Sequence, residues 1–329
     1  MKFAKSFVVL LAVFLMPAVL SAASGPVSGI YSLTKGMGQV DQSVLRLDYV
    51  KGISIRAGWD EIEPEEGRFN WGYLDNALKE VKKANKKAMI RILPGVHSPA
   101  WVFKKGIRSI DIRDSNPHHK TYGILRRVPL PWDEVYLGIW LKFVEALGKR
   151  YNGNDAIVLV HMAGPTVNSA EMHIPKRGEA KTLVINAGYS KDALVSAWRR
   201  VMDAYSAAFP EKELSLNIAV PFRRDGTLED VIQYGISKIG NRFAVQGNWL
   251  SAHTRDRFYP YHVMAGLNAN VNKGFQMLAA SKNGSRQGSL DVSIQKGLKA
   301  GARYFEIYEA DIRDYNSRQL FEGLDKKLR

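Results

Sequence analysis

The sequence predicts a single-domain α/β protein, a (β/α)8 TIM barrel, on three observations. Short apolar runs alternate with helix-period segments, eight such units fit into about 300 residues, and no glycine-rich phosphate loop follows an early strand. The last point sets aside an open doubly wound sheet. The 329 residues carry a formal charge of +15, from 47 Lys and Arg against 32 Asp and Glu, and contain no cysteine. A disulfide scaffold, a thiolate metal site and a cysteine nucleophile are thereby excluded. With 46% hydrophobic and 24% charged residues the composition is that of an ordinary folded domain.

In chain order, residues 1–24 read MKFAKSFVVLLAVFLMPAVLSAAS, with Lys2 and Lys5 leading an apolar run from Phe7 to Leu20 and small residues at Ser21, Ala22 and Ala23. This is the pattern of a secretory signal peptide. The run is shorter than the roughly 20 residues that span a bilayer, and Pro17 interrupts it. The expected organisation is a signal peptide over 1–23 and a barrel over 24–329 with a basic insertion at 102–131. The expected protein is secreted or periplasmic, without stable membrane insertion after cleavage. Loss of Lys2 and Lys5 leaves about 306 residues at a charge of +13.

SGIYSLT is the weakest strand candidate, and KGISIRAGW is the first strong one. A helix over about Trp71 to Asn85 follows, with Leu74, Leu78 and Val81 on one face, and then the strand KKAMIRILPG. Beyond the insertion, Pro131 and Asp133 are placed to start a helix to Tyr151, in which Tyr136, Trp140, Phe143 and Leu147 recur at steps of three and four. The alternation continues through strand AIVLVHMAGP, helix SKDALVSAWRRVMDAYSAAF, strand LSLNIAV, helix TLEDVIQYGISKI and strand RFAVQGNW. It closes with a segment around Tyr261 to Ala269, strand GFQMLAAS, helix LDVSIQKGLKAG, strand ARYFEIYEA and a helix near Ser317 to Lys327.

Barrel chemistry sits just past the C-terminal ends of the strands. The residues there are Arg56, Trp59, Glu61 and Glu63; His97 and Trp101; His161, Asn168, Glu171 and His173; Asn217 and Arg223; Gln246, Asn248 and Trp249; Gln276; and Glu306, Tyr308, Glu309 and Asp311. Flat apolar rings beside carboxylates and amides suit a pyranose, and two carboxyls across such a cleft can cleave a glycosidic bond. Among the rings, Trp101 and Trp249 are the candidate stacking platforms, whereas Trp140 and Trp198 lie at core spacing. Glu63, followed by Pro64, reads as a structural buttress.

Here RAGWDEIEPEEGRFNWGYLD and IRILPGVHSPAW resemble the second and third strand ends of clan A glycoside hydrolases of the family 42 β-galactosidase type. The stretch from Val128 to Pro165 resembles the third helix and fourth strand of the same group. The resemblance implies an Asn-Glu pair at the end of the fourth strand, its Glu the acid/base, and a Glu nucleophile on the seventh. This chain has Ala163 and Gly164 at the first place, and GFQMLAAS has no carboxylate at the second. The nearest replacement for the acid/base is Glu171, whose neighbours Met172, Ile174 and Pro175 are those of a packed loop. The second carboxylate is Glu306, which alternation places with Tyr304 and Tyr308 on one strand face, with Glu309 as substitute. A barrel-strand glutamate needs either a function or an arginine partner such as Arg56 or Arg91. Were SGIYSLT outside the barrel, Glu306 would fall on the seventh strand and regain the family's position.

Residues 102–127 hold seven positive residues, Lys104, Lys105, Arg108, Arg113, Lys120, Arg126 and Arg127, against Asp111 and Asp114, and SIDIRD can pair with YGILRR as a hairpin. Arginine forks there would hold an acidic polysaccharide, although generic basicity explains the charge equally well. No nucleic-acid motif accompanies the charge, so no nucleic-acid partner is expected. The histidines form no ligand pattern beyond the pair His118 and His119, so no metal and no cofactor is expected. The leading expectation is an exported glycoside hydrolase acting on a polysaccharide or oligosaccharide with a two-carboxylate mechanism. The rivals are a noncatalytic carbohydrate-binding barrel and a polysaccharide lyase.

Overall fold

A computed structural model of the chain describes residues 25–34, 38–114, 121–167, 171–283 and 286–329. The expected signal peptide lies outside them. The elements are β1 (Gly29–Leu33), α1 (Gln42–Leu45), β2 (Val50–Gly58), α2 (Trp59–Ile62), α3 (Gly72–Lys83), β3 (Lys87–Leu93), β4 (Ser109–Arg113) and β5 (Leu125–Pro129). Then come α4 (Glu134–Tyr151), β6 (Ile157–Met162), α5 (Gly178–Asn186), α6 (Lys191–Ala208), β7 (Glu213–Ile218), α7 (Thr227–Ile239) and β8 (Phe243–Leu250). Last are α8 (Tyr259–Gly266), β9 (Asn272–Met277), α9 (Leu290–Lys299), β10 (Tyr304–Tyr308), α10 (Glu309–Ile312) and α11 (Arg318–Leu328).

Eight strands close a parallel barrel in the order β1, β2, β3, β6, β7, β8, β9, β10, with β10 pairing back to β1. SGIYSLT is therefore a barrel strand, and β10 is the eighth. The hairpin in the insertion forms as expected, β4 pairing antiparallel with β5 and Asp111 opposite Arg127. Helix starts follow their caps: Asp133 accepts from the Tyr136 amide at 2.8 Å and Ser190 from the Ala193 amide at 3.1 Å. The helix α5, with a weak apolar face and one fully buried apolar residue, Val184, was not anticipated.

Strand alternation divides the interior. Outward residues such as Ile53, Ile55, Ile90, Val160, Leu216 and Phe305 join the helices in one large core. Inward, Tyr31, Met89, Leu159, Ala244 and Tyr304 form an apolar plug near the N-terminal end. Gly274 makes room for it, since a Cβ there would lie 2.0 Å from the Tyr304 ring. Above this plug, towards the C-terminal mouth, polar side chains take most inward positions, among them Ser54, Arg91, His161, Asn217, Gln246 and Glu306, with Leu33 of β1 an apolar exception.

Candidate active site

That polar layer is built around Glu306, which has no exposed surface. Its Oε1 accepts from Ser54 Oγ on β2 at 2.6 Å and lies 3.0 Å from His161 Nε2 on β6. Arg91 Nη2 on β3 reaches Oε2 at 2.9 Å and Oε1 at 3.1 Å, and Gln246 Nε2 on β8 donates to Oε2 at 2.9 Å. Arg91 Nη1 donates to Gln276 Oε1 at 3.0 Å, and Gln246 Nε2 also donates to Asn248 Oδ1 at 2.7 Å. Asn217 Oδ1 lies 3.5 Å from Arg91 Nη2.

Charge follows from this geometry. Burial alone would raise the Glu306 carboxyl, but Arg91, His161 and the hydrogen bonds from His161 and Ser54 hold it well below the usual carboxylate range. Burial, with Arg91 adding, pulls His161 down to about 4, so at neutral pH the ring is uncharged and its Nε2–H donates to Glu306. The layer is thus an ion pair, Arg91 with Glu306, braced by neutral groups.

At the mouth stand Arg56, Tyr308 and the loop after β6. Met172 N donates to Asn217 O at 3.0 Å and His173 N to Glu171 O at 2.6 Å, which ties residues 171–173 to the end of β7. Met172 and Ile174 are buried, as their apolar character led one to expect. The Glu171 carboxylate, on the loop so tied, acts on His173 and more weakly on Tyr308. Burial chiefly raises the Tyr308 phenol, and Arg56 opposes it.

The structure therefore brings together Arg56, His161, Asn217, Gln246, Asn248, Gln276, Glu306 and Tyr308, with Glu171 above them. Two expectations need correction. Trp59 offers no surface to a ligand: it is fully buried, with ring centroids of Trp140, Phe143 and Trp101 at 5.0, 5.6 and 6.0 Å. Trp249 points to the helix layer, because it alternates with the inward Gln246 and Asn248, and it packs against Phe258, Phe275 and Tyr261. Glu306 lies on the eighth strand, as the sequence placed it, and with SGIYSLT inside the barrel Gln276 occupies the inward end of the seventh.

Trp101 keeps partial exposure while its indole donates to Glu63 O at 3.0 Å, and His97 Nδ1 sits 3.5 Å from Asp60 Oδ1 at the rim. The Glu309 carboxylate pairs with Arg313 at 3.2 Å. Asn168, Lys120, His118 and His119 lie outside the described residues. Glu63 is a buttress, accepting from Trp59 Nε1 at 2.8 Å and the Gly67 amide at 2.9 Å. Sequence reasoning missed Ser54; the alternation of Gly52, Ser54 and Arg56 in β2 was the signal that could have found it. Several cations of the insertion have local partners: Lys105 with Glu66 at 2.5 Å, Arg127 with Asp111 at 3.1 Å, and Arg108 with Ala187 O at 2.8 Å.

The glycoside hydrolase 42 family, described as beta-galactosidase, matches residues 39–207. Among solved structures, the chain superposes on a beta-galactosidase from the psychrophilic Marinomonas ef1 with TM-score 0.58 and 10% identity, over 91% of this chain and 59% of that one. It superposes on a cold-adapted beta-galactosidase from Rahnella sp. R3 with TM-score 0.54 and 14% identity, over 92% and 56%. Xylanase B from Clostridium stercorarium F9 matches with TM-score 0.50 and 13% identity, over 85% of both chains. At these identities the likeness is one of fold, and the chain spans under two thirds of either beta-galactosidase. No curated protein matches the chain.

Proposed function

The chain belongs to the glycoside hydrolase 42 family, and from that premise we propose that it hydrolyses O-glycosidic bonds of a polysaccharide or oligosaccharide, with Glu171 as acid/base and Glu306 as the ionised partner. The carrying observation is the pairing of an ionised carboxylate, fixed at the base of a polar barrel mouth, with a second carboxylate on a loop folded beside that mouth. In this scheme Glu171 donates a proton to the leaving glycosidic oxygen. As the C1–O bond breaks, Glu306 either attacks the anomeric carbon, forming a glycosyl-enzyme that water then hydrolyses with Glu171 as base, or takes a proton from the water that attacks that carbon, exchanging the Ser54 or Gln246 hydrogen bond for the substrate.

The proposal extends to export, supported by the pattern of residues 1–23, and to an acidic glycan, supported by the basic insertion. A second reading, a noncatalytic carbohydrate-binding barrel, is favoured by one observation: Ser54, His161, Arg91 and Gln246 already occupy both Glu306 oxygens.

A panel of neutral and acidic glycans, assayed with wild type, Glu171→Gln and Glu306→Gln, separates these readings. The expected result is hydrolysis by wild type and a loss of about 100-fold or more in kcat for Glu171→Gln with little change in melting temperature. Undiminished hydrolysis by both variants would sink the assignment. Binding of glycans by wild type without hydrolysis of any would establish the noncatalytic barrel.

A further inference from the structure

Arg56 follows Ser54 on the inward face of β2, one step nearer the mouth, and is in register with Arg91 of β3. Two guanidinium groups thus stand side by side inside the barrel. Glu306 is paired with Arg91 at 2.9 Å and acts on Arg56 only from a greater distance, so Arg56 has no ion pair within 4 Å among the described residues. The undescribed residues contain no Asp or Glu, so none of them can supply one. Arg56 Nη2 donates to the Thr34 carbonyl at 2.8 Å, and Nε is closed from solvent without a partner. A desolvated guanidinium beside a second one is costly unless an anion meets it.

The other unpartnered atoms of this layer have the same bias. Arg91 Nε and Asn217 Nδ2 are donors without acceptors, against one free acceptor, Gln246 Oε1. The amide orientation of Gln246 is fixed by its donation to Glu306. Closed from solvent, these three donors and one acceptor bias the layer towards a negative charge rather than touch a ligand, which would meet Arg56 at the part of its side chain that is still exposed. A neutral sugar, whose hydroxyls donate as readily as they accept, would leave the Arg56 charge unmet. A carboxylate matches a planar guanidinium edge with two parallel hydrogen bonds, as a tetrahedral oxyanion also can, and the sulfate arm of the test below separates the two.

We propose that Arg56 binds the carboxylate of a uronic acid residue at the barrel mouth. This rests on the carbohydrate reading above and names the substrate class for the same site. It is independent of the basic insertion, because Arg56 lies on a barrel strand.

The test is a calorimetric or NMR titration of the whole protein with D-galacturonate, D-glucuronate, D-galactose, D-glucose and galactose 6-sulfate, in wild type, Arg56→Gln and Arg56→Lys. Wild type is expected to bind at least one uronate ten-fold or more tighter than its neutral counterpart. Arg56→Gln is expected to lose that preference, and Arg56→Lys, which keeps charge but loses the fork, to fall between. Equal affinity for uronate and neutral sugar in wild type, a preference that survives in Arg56→Gln, or sulfate bound as tightly as uronate would each overturn the proposal alone. Absence of binding by every sugar would overturn the carbohydrate reading along with it. Should Arg56→Gln fail to fold, the comparison of wild type with Arg56→Lys carries the same decision.

Discussion

At the scale of single residues, Ser54 shows how a small side chain governs a charged one. Its Oγ donates to Glu306 Oε1 at 2.6 Å, both side chains lying without exposed surface. Ser54→Ala would leave that lone pair less satisfied, so we expect a loss of about 1–3 kcal/mol in urea unfolding at pH 7. Unchanged stability would mean that Glu306 is adequately held by Arg91, His161 and Gln246. The importance of Glu306 was legible in the sequence, because alternation in a five-residue strand fixes which side chains face inward. Which arginine neutralises it was not legible: Arg56 and Arg91 occupy equivalent inward positions, and only the closed register decides between them. Trp59 misled because a tryptophan at a strand end is chemically suited to a sugar whether it faces the mouth or, as here, the helix layer.

At the scale of elements, helix positions were readable from 3.6-residue periodicity and caps, and α7 agrees with its expected bounds, Thr227–Ile239. The helix α5 escaped because its sequence lacks a strong apolar stripe, so the signal that marked its neighbours was missing. Close approach of α4 and α6 depends on Gly148, where an added Cβ would lie 2.5 Å from the Ala208 carbonyl oxygen and 2.6 Å from its Cβ. In an isolated helix Gly148→Ala would stabilise by up to about 1 kcal/mol. In this pair the collision with backbone should dominate, giving a net loss of about 1–3 kcal/mol. A rise in melting temperature would show that α6 can move away freely.

At the scale of the whole molecule, the two ends of the barrel respond to pH in opposite directions. Near the mouth, His161 is lowered to about 4 against an ordinary value of 6.5. The unfolded chain therefore takes up a proton that the folded chain refuses, and this stability is present above pH 6.5 and lost as pH falls towards 4. Between pH 7.5 and 5 the loss is about 2 kcal/mol. His173, also pulled down by burial, adds to the same trend. At the other end, Glu213 begins β7, accepts from the Val27 amide at 2.8 Å and is raised by burial to about 7 from 4.5. Its contribution is present below pH 4.5 and lost as pH rises through 7, so acidification restores it. Glu306 enters only as pH falls below about 4.5, because its carboxyl is held low. Across pH 5–7 the histidine and Glu213 effects offset, and wild type should show a shallow profile in urea unfolding. Glu213→Gln removes the opposing limb and should lose stability steeply over the same interval, whereas His161→Gln should reduce or reverse the wild-type slope. Identical slopes in wild type and Glu213→Gln would show that Glu213 keeps an ordinary carboxyl and that the barrel's N-terminal end takes no part in its acid response.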